Sequence, residues 1–325
     1  MDKHHYHLEL IELGNIHFTE HKYHEAQEEY LAAIYGYISD NEYNTNDNTT
    51  ANTNIEANFD TTNNTTNNTS NTNNNNDTSN TTTIPKDEIY LLSIIEEWIN
   101  RINIDYKEET NDDKYISYEE IMIVLTSLIK FTESKKHTKQ STLIEISNLY
   151  NICLRIIDIS IDHINDNNYR SKILHFKVRV LRSLADTYRD AYNYDQSINY
   201  INQSINICYE YFNNKLDTIS DCMTCKAAIL SEHCEYNDAI ILHKEALSNR
   251  ILVYGNIHEV VAASMHYIAM ILLLIGNYIE AKKYSDDCLN IRLQILPSDS
   301  PIIASSLFLQ ARLLYLIGNY DESLG

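Results

Sequence analysis

The segment Leu272-Leu-Leu-Ile-Gly-Asn-Tyr-Ile-Glu-Ala-Lys-Lys-Tyr284 is the most informative part of the sequence, because its pattern returns along the chain at a fixed interval. Gly318-Asn-Tyr-Asp-Glu-Ser323 repeats it forty-two residues later. The same step backwards leads to Glu235-Tyr-Asn-Asp-Ala239 and to Asn193-Tyr-Asp-Gln-Ser197. The aromatic residues at the shared position are Tyr194, Tyr236, Tyr278 and Tyr320. A fixed period in this range indicates an array of structural repeats.

Composition and small-residue spacing predict that each repeat is a pair of helices. The 325 residues include only six Gly and three Pro, which disfavours turn-rich β-sandwiches and barrels. Small residues recur at the same place in the first helices, at Ala185, Ala227, Ala269 and Ala311. They recur in the second helices at Ser197, Ala239, Ala281 and Ser323. We therefore expect an all-α solenoid of antiparallel helix pairs that pack closely at these positions.

Net charge and the distribution of apolar residues limit which partners the chain is expected to bind and where in the cell it is expected to be. A formal charge of −21 opposes binding to nucleic acid, whose affinity comes mainly from Lys and Arg contacts to phosphates. The residues after Met1 lack the apolar core of a signal peptide, so we expect a cytoplasmic protein with six reduced cysteines. Val260 to Ile275 is too short for a comfortable membrane span and contains His266. We expect no membrane partner.

A segment near the start of the chain resembles a known repeat family. Leu13 to Ala33 has the spacing of a helix, a tight turn and a second helix. It is similar to a tetratricopeptide repeat (TPR), and the matching positions are Leu13, Gly14, Tyr23, Ala26, Tyr30 and Ala33. Ala246-Leu-Ser-Asn-Arg250, followed by Gly255, His258 and Val261-Ala262, resembles the longer kinesin-light-chain type of this repeat. The resemblance implies a right-handed TPR superhelix whose first helices line a concave groove for a protein or peptide ligand.

Local composition divides the chain into four predicted parts. Residues 1–40 are the first repeat, and residues 41–85 are an insertion that we expect to be disordered, because Asn and Thr make up 31 of the 43 residues from 41 to 83. Residues 86–177 contain predicted helices over 88–99, 118–131 and 142–164, which are either divergent repeats or a helical adaptor. Residues 178–325 are the kinesin-light-chain-like array, whose last repeat is truncated.

The most specific candidate binding residues lie on one stripe of the helix that contains Val178. Arg179, Arg182, Asp186 and Arg189 follow near-helical spacing and share one face. Arginine binds carboxylates through paired hydrogen bonds, so this stripe suits an acidic segment of a ligand. The alternative is that these arginines pair with acidic neighbours on a solvated face.

The corresponding stripes of the later repeats become apolar. They hold Thr224, Ala228 and Ser231, then His266, Met270 and Leu273, then Phe308, Arg312 and Tyr315. A peptide with acidic residues at one end and a large apolar anchor at the other fits both halves of such a groove. The alternative is that Met270, Leu273 and Phe308 belong to the core, as most apolar helical stripes do.

Other residue clusters give weaker hypotheses. Cys222 and Cys225, with His233 and Cys234, are of ligand types that bind zinc, but helical rise separates the two pairs by roughly 12 Å. The histidines at 17, 21 and 24 raise the same question, and we expect a metal at neither place. The chain shows no phosphate-binding loop or nucleophile elbow, so we expect neither an enzyme nor a cofactor.

The end of the sequence adds an alternative function. The last repeat stops inside its second helix, which leaves an apolar face that solenoids normally cap. Either the sequence is a fragment or another chain covers this end. The chain could then be a structural scaffold that associates through its uncapped C-terminal end. A metal-regulated protein that uses Cys222, Cys225 and His233 is a weaker alternative.

Overall fold

The computed structural model describes residues 3–40, 95, 98, 118–138, 141–164 and 166–318, and every regular element among them is an α-helix. The predicted insertion over 41–85, most of 86–117 and the repeat positions from 319 to 325 lie outside the described residues. Ile95 and Trp98, inside the predicted helix 88–99, are helical and buried in the N-terminal core.

The described helices form successive pairs. They are α1 (Lys3–Thr19), α2 (Tyr23–Asp40), α3 (Tyr118–His137), α4 (Leu143–His163), α5 (Asn167–Asp190), α6 (Tyr194–Tyr211), α7 (Leu216–Glu232), α8 (Tyr236–Tyr254), α9 (Glu259–Leu274), α10 (Tyr278–Ile295) and α11 (Pro301–Ile317). Each helix packs on the next, and from α3 onward short connections join consecutive helices and make them antiparallel, as the turn between α1 and α2 does. Odd-numbered helices also contact each other at α1–α3, α3–α5, α5–α7 and α9–α11. Helices of successive repeats lie closer together on the inner side of a curved stack than on its outer side. Because the odd-numbered helices are the ones that contact each other, they form the inner layer.

The turn inside each pair repeats with the sequence period. A residue with left-handed backbone stands at Tyr192, Cys234, Gly276 and Gly318, with φ of 60°, 66°, 82° and 95°. After the first three, the next residue's N–H donates to a carbonyl five residues earlier, which closes the turn. Because this geometry ends the first helix sharply, the second helices α6, α8 and α10 all begin at the repeated tyrosine.

Small residues permit the close helix contacts that the sequence predicts. A Cβ atom added to Gly14 would lie 2.6 Å from Cε1 of Tyr30, so only glycine fits between α1 and the buried ring on α2. Ala185 and Ser197 are fully buried in the pair α5–α6, where the Ser197 hydroxyl donates to the Ala185 carbonyl at 2.6 Å. Ala239, Ala269 and Ala281 are equally buried further along.

The middle helices continue the stack with boundaries that differ from the sequence expectation. In α4, Thr142 and Glu145 form a reciprocal capping box at the predicted start. In α5, the Asp166 carboxylate caps the helix by accepting from the amides of Asn168 and Tyr169. Residue 178, the predicted domain boundary, therefore lies inside α5, and α3 runs to His137 where the prediction ends at 131.

The apolar run of α9 is packed in the core. Ile268 and Leu272 are 0% and 2% exposed between α8 and α10. None of the helices in the described part of the chain is long and apolar enough to cross a membrane.

Buried arginines join one repeat to the next. On α8, Arg250 donates to the Ser264 hydroxyl of α9 at 2.7 Å and to the Asp221 carboxylate of α7 at 2.9 Å. On α10, Arg292 occupies the same repeat position and donates to the Ser306 hydroxyl of α11 at 2.7 Å. Arg292 also donates to the Glu259 carboxylate at 2.9 Å. Each arginine thus connects its own repeat to the first helix of the following one.

Candidate functional site

The candidate site is the inner stripe, defined as the four positions of α5 at 179, 182, 186 and 189 and their counterparts every forty-two residues. The counterparts are Asp221, Thr224, Ala228 and Ser231 on α7, Ala263, His266, Met270 and Leu273 on α9, and Ser305, Phe308, Arg312 and Tyr315 on α11. Steps of three, four and three residues place each set on one face of its helix. Ion pairs that connect α5 with α3 and α7 show that this stripe faces the neighbouring inner helices.

At the α3 side of the stripe, Arg179 is held by a bidentate ion pair. Its Nη2 donates to both Glu133 carboxylate oxygens at 2.7 and 2.8 Å, and its Nε donates at 3.2 Å. Both side chains are partly buried. Geometry of this kind is the strongest that an arginine makes with a carboxylate, so this guanidinium is committed within the chain.

Arg182 has a weaker partner. Its Nη1 lies 3.3 Å from the Asp221 carboxylate, and that carboxylate also accepts from Arg250 at 2.9 Å. One carboxylate therefore serves two guanidinium groups. Exposed pairs of this length contribute little to stability, so Arg182 is the stripe arginine of α5 that can most easily exchange its partner.

Arg189 is surrounded by three carboxylates. Its nitrogens lie 2.7 Å from Asp186, 3.2 Å from Asp190 and 3.4 Å from Glu232. Burial alone would lower the pKa of Arg189, but these carboxylates outweigh it and raise the pKa. Lys136 of α3 also contacts Asp190, at 2.8 Å. In this structure the three stripe arginines Arg179, Arg182 and Arg189 thus pair with acidic neighbours, the alternative that the sequence left open.

The middle of the stripe carries small polar side chains. Thr224 and Ser231 donate their hydroxyls to carbonyls one turn earlier in α7, at 2.8 and 2.9 Å. Ala228 between them is partly exposed. The α7 part of the stripe therefore carries short side chains between the two ends.

The α9 and α11 parts of the stripe are apolar and open. Met270, Phe308 and Tyr315 are 43%, 73% and 60% exposed. Arg312 is exposed too, and it makes no ion pair or hydrogen bond with any residue that the structure describes. Leu273 is only 6% exposed, so the core interpretation holds for Leu273 and not for Met270 or Phe308.

His266 lies at the edge of the core, and its neighbour Tyr267 extends the open surface. Burial, followed by the charge of Arg292, lowers the pKa of His266. Tyr267 is half exposed and stacks on His243 of α8 with ring centroids 5.7 Å apart. Sequence reasoning missed Tyr267 because it stands outside the four-position stripe. It also missed Asp221 as a partner, although Asp221 occupies the repeat position of Arg179.

The cysteines and histidines of the described residues do not come together as a metal site. Cys222 and Cys225 are buried, whereas His233 and Cys234 are exposed near the turn after α7, where His233 contacts Glu235 at 2.6 Å. His21 is at the turn after α1 and contacts the Tyr23 hydroxyl at 2.8 Å. Within the described ranges, no three His, Cys, Asp or Glu side chains converge as a metal site would need.

Comparisons with known proteins agree with the repeat geometry. The sequence profile of the tetratricopeptide repeat matches residues 260–325, which include α9, α10 and α11. BtubC (bKLC) from P. vanneervenii is similar in structure, with a TM-score of 0.54, 13% identity, and coverage of 70% of this chain and 86% of that one. No curated protein matches the sequence.

Two further solved structures share the fold. A Podosopora anserina protein, solved as a kinesin light chain with nearly identical TPR-like repeats, has a TM-score of 0.50, 16% identity, and coverage of 62% of this chain and 90% of that one. A signal transduction ATPase with a tetratricopeptide repeat sensor, from Pyrococcus horikoshii, has a TM-score of 0.50, 13% identity, and coverage of 97% and 39%. Residues 260–325 thus match the tetratricopeptide repeat, and the described helices share the all-α superhelical fold of these solved repeat proteins.

Proposed function

We propose that the chain is a non-catalytic interaction scaffold that binds a segment of another protein along the inner stripe. One observation carries the proposal: on adjacent inner helices, the exposed side chains of Met270 and Phe308 leave large apolar surfaces open beside Arg312. Contiguous apolar surface with a nearby polar group is typical of a site that another molecule covers.

The chemistry of the stripe suggests what the ligand carries. A large apolar or aromatic side chain would be buried against α9 and α11, where such contacts supply most of the binding energy at hot spots. Acidic side chains would contact Arg312, which lacks a partner within the described residues, and Arg182, which shares its carboxylate with Arg250. Arg179 and Arg189 would first have to exchange their present carboxylates, so we expect them to contribute less to ligand binding than Arg312 and Arg182.

The test is selection followed by titration. Random twelve-residue peptides displayed on phage are selected on the immobilised chain, and enriched peptides are synthesised with a fluorophore and titrated. We expect an acidic motif with an aromatic or large aliphatic residue, and a loss of affinity of about thirty-fold for Phe308→Ser, on the scale of one hot-spot side chain. Arg312→Glu should cause a larger loss of affinity at low salt than at high salt.

Matched controls lie on the outer helices. Ile241 on α8 and Lys283 on α10 are exposed outside the inner stripe. Ile241→Ser and Lys283→Glu repeat the same chemical changes there and should leave affinity within twofold. Equal losses for inner and outer variants would contradict binding in the groove.

A second candidate function is assembly with another chain. It is favoured by the face of α11 that carries Ala304 and Leu307. Ala262 of α9 is fully buried in the core, but its counterpart Ala304 is exposed, and Leu307 beside it is 48% exposed. This face is the one that a following helix covers elsewhere in the array. If it assembles the protein, sedimentation should show mass rising with concentration, and Leu307→Asp should abolish the rise. A constant monomer mass excludes this function and leaves groove binding intact.

A further inference from the structure

We call the contact between the second helix of one repeat and the first helix of the next repeat a joint. The joint between α6 and α7 differs from the next two joints, α8–α9 and α10–α11. Cys208 stands at the repeat position of Arg250 and Arg292, and Cys222 stands at the position of Ser264 and Ser306. The arginine–serine hydrogen bond found at both later joints is therefore replaced here by two thiols.

The replacement matches a change in the surrounding charges. Arg250 depends on Asp221, and the counterpart of Asp221 one repeat earlier is Arg179. Arg292 depends on Glu259, and its counterpart two repeats earlier is His175. An arginine at position 208 would therefore meet the Arg179 guanidinium and the His175 imidazole where the other joints supply carboxylates. The two thiols are thus part of a coordinated change in this joint.

The two sulfur atoms are close and enclosed. Cys208 Sγ lies 3.7 Å from Cys222 Sγ, and both side chains are 0% exposed. The Ser204 hydroxyl lies 3.2 Å from Cys222 Sγ and 3.3 Å from the Val178 carbonyl. A disulfide bond needs a sulfur separation of about 2.0 Å, so a closer approach of α6 to α7 by less than 2 Å would suffice.

We propose that Cys208 and Cys222 form a peroxide-sensitive dithiol whose oxidation links adjacent repeats by a disulfide. The Cys222 thiolate attacks hydrogen peroxide and breaks its O–O bond, giving a sulfenic acid and hydroxide, which takes up the thiol proton and becomes water. Cys208 sulfur then attacks Cys222 sulfur, the S–O bond breaks, and a second water leaves with the Cys208 proton. Two thiols lose two electrons in total, and one peroxide is reduced to two waters.

The electrostatic surroundings distinguish the two thiols. A hydrogen bond from the Cys208 thiol, aided by Ser204 and by the charge of Arg182, lowers the pKa of Cys222. The same contact raises the pKa of Cys208. Cys222 is therefore the attacking sulfur and Cys208 the resolving one. Peroxide is small enough to reach an enclosed pair when a repeat joint opens locally.

The remaining cysteines provide internal controls. Burial raises the pKa of Cys153, Cys225 and Cys288, which disfavours their thiolates. Cys288 lies 3.9 Å from the Ser306 hydroxyl and Cys225 lies 3.4 Å from Asp186, so neither has a thiol partner at that contact. Cys234 is exposed at a turn and should react with peroxide by itself.

The experiment uses the full chain carrying Cys234→Ser, which removes the exposed thiol. The protein is treated with graded hydrogen peroxide, quenched with catalase, denatured and alkylated with N-ethylmaleimide before intact mass measurement. We expect a product with three alkylated cysteines instead of five, restored to five by dithiothreitol, and a cross-linked peptide pair containing Cys208 and Cys222. A further Cys225→Ser change should preserve this cross-link, and Cys222→Ser should abolish it.

Two results would overturn the proposal. One is that all five cysteines stay alkylated at every peroxide dose that leaves the fold intact by circular dichroism. The other is a cross-link that involves Cys225 in place of Cys208. As a second readout, the urea midpoint should rise on oxidation and fall back on reduction. The variant carrying both Cys208→Ala and Cys222→Ala should show no such reversible shift.

Discussion

The inner stripes of α5 and α11 occupy the same repeat positions but have different surroundings. On α5, Arg179 and Arg189 face carboxylates contributed by α3, α5 and α7. On α11, Phe308 and Arg312 remain open to solvent. The difference shows that a cation in a groove is available to a ligand only where the neighbouring helices leave it without an anion. One half of the stripe stabilises the stack, and the other half is the better candidate for recognition.

The largest expected effect on stability distinguishes Arg292, which connects α10 to α11, from Arg312, which lies in the open half of the inner stripe. Arg292→Ala would leave the Glu259 carboxylate and the Ser306 hydroxyl without their buried partner. We expect a loss of about 4 kcal/mol in the free energy of unfolding, measured by urea denaturation. Arg312→Ala, twenty residues further on, should change it by less than about 0.5 kcal/mol because that side chain is exposed. Equal losses would remove the distinction between the two arginines.

Acid should weaken the packing beneath the open half. Burial, followed by the charge of Arg250, lowers the pKa of His243 to about 4 from its ordinary value of 6.5. The folded state therefore favours neutral His243. Its contribution is complete above pH 6.5 and is lost as pH falls from 6.5 towards 4, by up to about 3 kcal/mol. Urea denaturation at pH 7 and pH 4 should show that His243→Gln reduces this loss, whereas His24→Gln, at an exposed site, should behave like the unchanged chain.

Within the charged half, we expect Arg179 and Arg182 to contribute unequally to the free energy of unfolding. Arg179→Met breaks a partly buried bidentate pair and should cost about 1.5 kcal/mol, largely independent of salt. Arg182→Met removes a 3.3 Å contact and should cost less than about 0.5 kcal/mol. Urea denaturation of both variants at low and high salt provides the measurement. A larger cost for Arg182 than for Arg179 would reverse our assignment of which arginine is free to exchange partners.

The smallest expected effect concerns the turns, which also differ between the halves. Tyr192 and Cys234 hold left-handed backbone that Gly276 and Gly318 adopt without strain. Cys234→Gly should therefore raise the thermal midpoint by an amount equivalent to about 1 kcal/mol. Gly276→Ala, the opposite change at the same repeat position, should lower it. If Cys234→Gly lowers the midpoint, backbone strain is not what distinguishes these turns.

The positions of the turns and second helices could be predicted from the sequence, because the same contacts recur every forty-two residues. Tyr194, Tyr236 and Tyr278 each begin a second helix, as their spacing predicted. The start of α5 could not be read, because its cap at Asp166 precedes the repeated pattern. The expected disorder of 41–85 and the cytoplasmic location stay predictions.

The candidate site was harder to predict than the fold because its character depends on contacts between distant residues. Glu133 lies forty-six positions before Arg179, on a helix that lacks the repeat signature. Leu273 and Tyr315 share one repeat position, yet only Leu273 is buried. Periodicity identifies the stripe, but it does not reveal which members are paired or covered.

The central claim is that the open half of the stripe recognises a protein segment, and one measurement tests it most directly. Peptides enriched on the unchanged chain are titrated against Phe308→Ser and against Ile241→Ser, which make similar polar changes at exposed inner and outer sites. We expect Phe308→Ser to lose about thirty-fold in affinity while Ile241→Ser stays within twofold and both keep the same urea midpoint. Full affinity in Phe308→Ser would contradict it.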